Sequence, residues 1–295
     1  MLINRRQALV GITGITGSLI LTNCGINDSN YRSTVTRAQN FSLGPRFPDG
    51  FSAPTVLVAE TLQRAPYALI DNDGWPVTDK APKIIDLTVQ HIESKEIIFS
   101  GEVNRHGEPG VTPYYPVVFT PPMEGKYQIS GPDIFENRQF QVAKKNSRSI
   151  IQVGDSMPSI ATPTFSDNQG ITPICTRSNK ICPLHEVTVT EALSRPGPIA
   201  LLISTPRFCQ QDVCGPSLEV LIEHSKNLDS DWSVIHAEVY VNPINNDFAL
   251  TPVVETYKLN FEPSLIVANQ TGIVTSSLNF AMDSLEVAEA LRSGN

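Results

Sequence analysis

Ile199-Ala200-Leu201-Leu202-Ile203-Ser204-Thr205-Pro206-Arg207-Phe208-Cys209-Gln210-Gln211-Asp212-Val213-Cys214-Gly215-Pro216 is the stretch from which the rest of the chain can be read. Five uninterrupted apolar residues predict a buried strand. Leu218, Val220, Leu221 and Ile222 then follow at the spacing of an amphipathic helix. The two cysteines therefore fall at a strand-to-helix junction, where free helix N–H groups and the positive end of the dipole favour a thiolate. Four residues separate them, and helical positions five apart diverge by about 140° at about 100° per residue. Cys209 accordingly belongs to the loop, reaching back to Cys214 at the helix start.

Working outward, the second half alternates strands and helices. A short helix is expected over Thr190 to Leu193, and a second long strand over Trp232 to Val241. A helix near Pro252 to Lys258 precedes Phe261-Glu262-Pro263. Ser264 to Ala268 and Ile273 to Leu278 make two more strands, and Ser284 to Leu291 closes the chain as a helix. This order, with Phe208-Cys209, Cys214-Gly215-Pro216 and Pro263 just before a strand, resembles the thioredoxin fold over about half the chain. The resemblance implies a cis proline at Pro263, lying against a reactive disulfide and contacting substrate backbone. It also implies a catalytic pair, Cys209 and Cys214. Position at the helix start favours Cys214 as the thiolate, whereas in thioredoxins the sulfur earlier in the chain attacks, which would reverse the assignment. The wider set, including Pro173 to Arg177 and Cys182 to His185, looks like an exported actinobacterial subgroup of thioredoxin-like proteins. Thioredoxins carry Cys-Gly-Pro-Cys; here the spacing is longer and Ser217 stands three residues after Cys214, which predicts a different potential and exposure.

Upstream, Cys175 and Cys182 bracket a polar loop. In an oxidising compartment this reads as a structural disulfide contributing about 2 kcal/mol. Zinc is not expected, because no second Cys/His pair has finger-like spacing, and His185 reads as an exposed neighbour. His236, inside an apolar strand, reads as a core or sheet-face position. No metal and no cofactor is expected.

Residues 41–147 carry short β-branched segments separated by turn residues: 55–59, 67–70, 84–89, 96–100, 115–119, 125–129 and 138–142. Seven such segments without a helical pattern suggest an antiparallel sandwich of immunoglobulin-like type. The stretch Phe119 to Ile129 resembles the late hairpin of those domains, where Gly125-Lys126-Tyr127 opens the next strand. No catalytic constellation appears in this half. His91 and His106 read as isolated surface or structural residues, and Tyr114-Tyr115 either lines a binding surface or packs in the core.

The first residues resemble an export signal. Arg5-Arg6 precedes a Gly-rich apolar run resembling a twin-arginine signal, and Leu21-Thr22-Asn23-Cys24 looks like a lipobox. Lipidation of Cys24 would leave four of the five cysteines to pair. The expected organisation is a signal over 1–24, a tether over 25–40, an immunoglobulin-like β-sandwich over 41–147 and an α/β thioredoxin-like domain over 148–295. A formal charge of −8 and the absence of a basic patch exclude nucleic acid as a natural partner.

The function expected is thiol–disulfide exchange on the outer face of a membrane, with exported protein thiols or disulfides as partners. Two other readings stay open: a non-catalytic cell-surface binding protein with structural disulfides, and, by resemblance to copper-delivery members of the fold, a metal site on the spaced pair with His236 as the nearest histidine.

Overall fold

The structure, a computed structural model, describes residues 41–295 except 52, 148–149 and 210–212. The leader, Cys24 and the tether lie outside the described residues. Among those described, no helix is long and apolar enough to cross a membrane. The described residues form one compact unit, predominantly β-sheet, with thirteen strands and four α-helices described.

Strands β1 (Ser42–Pro45), β2 (Gln63–Ile70) and β5 (Tyr115–Phe119) form one antiparallel sheet, ordered β1-β2-β5. Strands β3 (Ile84–His91), β4 (Ile97–Asn104), β6 (Gly125–Ser130) and β7 (Arg138–Val142) form a second, ordered β4-β3-β6-β7. Alternation explains how they meet. Ile85, Leu87 and Val89 of β3 are buried on one face, as are Tyr115, Val117 and Phe119 of β5. Aromatic rings close the space between the sheets: Phe119 lies 5.9 Å from Phe140, which stacks on Tyr127 at 5.6 Å, and Phe47 meets Tyr67 edge-on at 5.3 Å.

Two local expectations change here. Residues 55–59 are buried but form no strand; they run beside β7 through one bridge, Val58 to Ala143, with Thr55 Oγ1 donating to the Gln141 carbonyl. The pairing is too short to make a ladder. Tyr114 and Tyr115 are fully buried rather than on a surface, their hydroxyls donating to Glu286 and to the Pro82 carbonyl at 2.6 Å each.

The second half is built on a mixed four-stranded sheet. Strands β8 (Ile199–Ile203), β9 (Ser233–Ala237), β12 (Ser264–Ala268) and β13 (Val274–Asn279) are ordered β13-β12-β8-β9. β8 and β9 are parallel, while β12 is antiparallel to both of its neighbours. Every residue of β8 and β12 is buried, as expected of central strands covered on both faces. Helix α1 (Val189–Leu193) starts with a capping box between Thr188 and Glu191. Helix α2 (Cys214–Ser225) follows β8, α3 (Pro252–Tyr257) has proline in its first turn, and α4 (Ser284–Arg292) is capped by Asp283. The long strand expected over 232–241 is interrupted: β9 ends at Ala237, and β10 (Tyr240–Asn242) turns away to pair with β11 (Asp247–Leu250). Glu238, buried and hydrogen-bonded to the Thr176 backbone, sits at the break.

One hydrophobic cluster runs from Phe41 through Tyr127 and Phe140 to Val239 and Val274, so the two halves share core. Polar contacts tie them as well. Arg64 of β2 meets Glu286 of α4, and His106 lies 2.9 Å from Asp283.

Candidate functional site

Cys209 and Cys214 are joined by a disulfide, with Cα atoms 6.2 Å apart. Cys214 is the first residue of α2, and the residue before it, Val213, supplies no side-chain cap. The sulfur therefore lies where helix N–H groups are left over. The two ends of the bridge differ in access. Cys214 is completely buried, whereas Cys209 is only partly so and faces a cavity of about 360 Å³. Tyr240, Leu250, Val254, Phe261 and Phe280 line that cavity. Phe261 and Phe280 stack at 5.2 Å, and the β10-β11 hairpin brings half-exposed Phe248 to within 6.2 Å of Phe208.

Glu262 completes this corner. Its carboxylate lies within 4.8 Å of both sulfurs and accepts a 2.6 Å hydrogen bond from the Thr205 N–H. Burial is the main influence on it and raises its pKa to about 7; the Thr205 bonds and His236 pull the other way. Glu262–Pro263 is a cis peptide bond directly before β12. Sequence reasoning singled out Cys209, Cys214 and Pro263 but passed over Glu262. Its only signal was its place beside that proline.

The second cluster differs from what the sequence suggested. Cys175 and Cys182 are free thiols here, not the structural disulfide expected. They converge with His185 and His236, and one donor atom from each of the four lies within 4.8 Å of all the others. All four residues are buried, His185 completely so rather than exposed. Cys182 Sγ is 3.2 Å from His185 Nε2 and 3.6 Å from His236 Nδ1, and the Cys182 N–H points at Cys175 Sγ at 3.4 Å. The reason for the convergence is β9. The His236 N–H donates to the Leu184 carbonyl at 2.9 Å, which straps the cysteine loop along the outer edge of the sheet.

Electrostatics split the two sulfurs. The hydrogen bond from Cys182 holds the Cys175 thiol far below the ordinary range, against burial and with help from both histidines. The same bond, with burial, pushes the Cys182 thiol up. His236 therefore belongs with Cys175 and Cys182. Among the described residues, the groups that gather at the Cys209–Cys214 bridge are the two sulfurs and Glu262, and His236 groups instead with Cys175, Cys182 and His185.

No family model and no characterised protein matches the chain by sequence. Among solved structures, the Lin-41 filamin domain aligns with 36% of this chain and 93% of its own length, at 15% identity and a TM-score of 0.24. A likeness of that size carries no argument about the site. The chemistry of the two clusters stands on their own geometry.

Proposed function

We propose that residues 148–295 are a thioredoxin-like module that exchanges disulfides with exported proteins through Cys209 and Cys214. In this reading the module is carried by an immunoglobulin-like sandwich and a lipid anchor at Cys24. The observation that carries it is the asymmetry of the bridge: one partly accessible sulfur, Cys209, opens onto a cavity lined mostly by apolar side chains together with Asn260 and Glu262, while its partner is sealed at the start of α2.

The step follows from that asymmetry. A substrate thiolate attacks Cys209 Sγ in line with the bridge, forming a mixed disulfide and breaking the Cys209–Cys214 bond. The electron pair leaves on Cys214, where the helix terminus favours negative charge. Glu262, whose carboxylate lies within 4.8 Å of both sulfurs, delivers the proton that neutralises it through one water. A second substrate thiolate then attacks the mixed disulfide and releases Cys209 as the other thiolate. The substrate leaves oxidised and the protein reduced; the reverse sequence runs through the same species. The accessible sulfur is thus the one that meets substrate, which reverses the preference for Cys214 drawn from helix position alone.

Measuring the reduction potential of the pair, together with trapping by Cys214→Ser, tests the reading. Exchange predicts a potential above about −300 mV and mixed disulfides accumulating on Cys209. A lower potential with nothing trapped would leave the pair a structural bridge and the chain a surface binding protein.

A further inference from the structure

We infer that Cys175, Cys182, His185 and His236 form a closed tetrahedral zinc site. Four donor atoms of the right kinds, two sulfurs and two imidazole nitrogens, lie within 4.8 Å of one another without any solvent opening at the four residues, whose exposures run from 0% to 4%. Zinc–sulfur bonds of about 2.3 Å and zinc–nitrogen bonds of about 2.0–2.1 Å place tetrahedral neighbours about 3.4–3.8 Å apart. The Cys182–His185 and Cys182–His236 separations of 3.2 Å and 3.6 Å already lie close to those edges.

The surrounding groups orient the donors as a metal would need. His236 turns Nδ1 to the cluster, and its Nε2 lies 3.1 Å from both the Ser204 carbonyl and Ser204 Oγ. A proton on Nε2, donated to that carbonyl, leaves the Nδ1 lone pair directed inward. His185 presents Nε2 to the cluster, and its buried Nδ1 makes no hydrogen bond of normal geometry. The Cys182 N–H donates to Cys175 Sγ, the usual support for a thiolate sulfur.

Charge favours the same conclusion. Two thiolates and one divalent zinc sum to zero, so the site can be sealed without burying net charge. A Cys175–Cys182 disulfide would also be neutral, but it would leave two fully buried imidazoles aimed at a sulfur that offers them little. With two sulfurs, two imidazoles and no open position, the donor set suits structural zinc rather than a catalytic or an oxygen-loving cation. The ion would pin the loop of Cys175 and Cys182 to β9. From there Thr176 reaches the other site, its Oγ1 accepting from the Arg207 N–H.

The sequence hid this because the fourth ligand is remote. Cys175, Cys182 and His185 are close in the chain, but His236 is supplied by β9 after a whole β-α unit.

The test is metal content and a cobalt(II) spectrum of the full chain purified under reducing conditions and loaded with zinc chloride or cobalt(II) chloride alone. One zinc per chain is expected, with thiolate-to-cobalt charge-transfer and tetrahedral ligand-field bands on substitution. Peptide mapping after alkylation should show Cys175 and Cys182 protected until the metal is chelated. Cys182→Ser should lose the metal and the charge-transfer intensity, whereas Cys209→Ser should keep both. Should Cys182→Ser fail to fold, the cobalt spectrum and mapping of the unaltered chain decide alone. Absence of bound zinc and cobalt, copper(I) bound in place of zinc, or recovery of Cys175 joined to Cys182 after zinc loading would each overturn the assignment.

Discussion

Arg64 and Glu286 form a two-pronged ion pair, Nε to Oε1 at 2.6 Å and Nη2 to Oε2 at 2.7 Å, joining β2 of the first half to α4 of the second. Both side chains are only 9% exposed. The guanidinium also donates to the carbonyls of Asn279 and Ala281, and Tyr114 donates its hydroxyl to the same carboxylate. Burial alone would release the Arg64 proton more easily, but Glu286 outweighs it and raises the pKa.

Removing one partner of such a pair leaves an uncompensated buried charge, which costs about 3–5 kcal/mol. Arg64→Met should therefore destabilise the chain by about that much in urea unfolding. Arg64→Met combined with Glu286→Gln keeps an acceptor for Tyr114 and removes the stranded charge, so it should lose less than the single variant. Equal loss in both would mean that the carbonyl contacts, not the charge, hold the halves together.

The neighbouring His106–Asp283 contact makes stability depend on pH. Asp283 is the largest influence on His106 and raises its pKa above the usual 6.5. Burial opposes ionisation of Asp283, but His106 and the N–H groups of Glu286 and Gly107 prevail and hold its pKa below the usual 3.8. The 2.9 Å approach is an ion-pair contact rather than an aligned hydrogen bond. For His106, raised in the folded state, the stabilisation is complete below about 6.5 and lost as pH climbs through the higher folded value. For Asp283, depressed in the folded state, it is present above about 3.8 and lost as pH falls through the lower folded value. In thermal melts across pH, His106→Gln should lower stability below about 6.5 and abolish the His106 part of the alkaline decline.

Glu262 should leave a separate trace. Its pKa of about 7 means the folded chain holds a proton there that the unfolded chain releases near 4.5. Stability should fall as pH rises between those values, and Glu262→Gln should remove that slope. In exchange assays the ratio of unaltered to Glu262→Gln rates should be highest below about pH 7 and shrink above it, as the proton donor is lost. A ratio independent of pH would remove Glu262 from the chemistry.

Gly125 opens β6 with a φ of +138°, and a Cβ there would come within 2.6 Å of His91 Nε2. His91 is buried, its ring 4.8 Å from that of Tyr127. Gly125→Ala should cost more than about 1 kcal/mol, since the backbone and the packing both resist it. Gly74→Ala, at φ +85° with open space around it, should cost only the backbone part. Comparing their denaturation midpoints separates the two contributions.

Local pattern determined a large share of this molecule. The apolar run 199–203 is β8, the helix after it begins at Cys214, and strands 264–268 and 274–279 and the closing helix follow where periodicity puts them. Most of the β segments of the first half are equally local, because alternation and turn residues act within a few positions. Tertiary structure decided what neighbours in the chain cannot. It bent the chain at Glu238, where a buried carboxylate answers the Thr176 backbone. It made Tyr114 an internal partner of Glu286 and left Cys209 the accessible end of its bridge. It also carried His236 across the sheet edge to Cys175, Cys182 and His185. Strand periodicity reports which side of a strand is covered; only the register between distant segments reports by what.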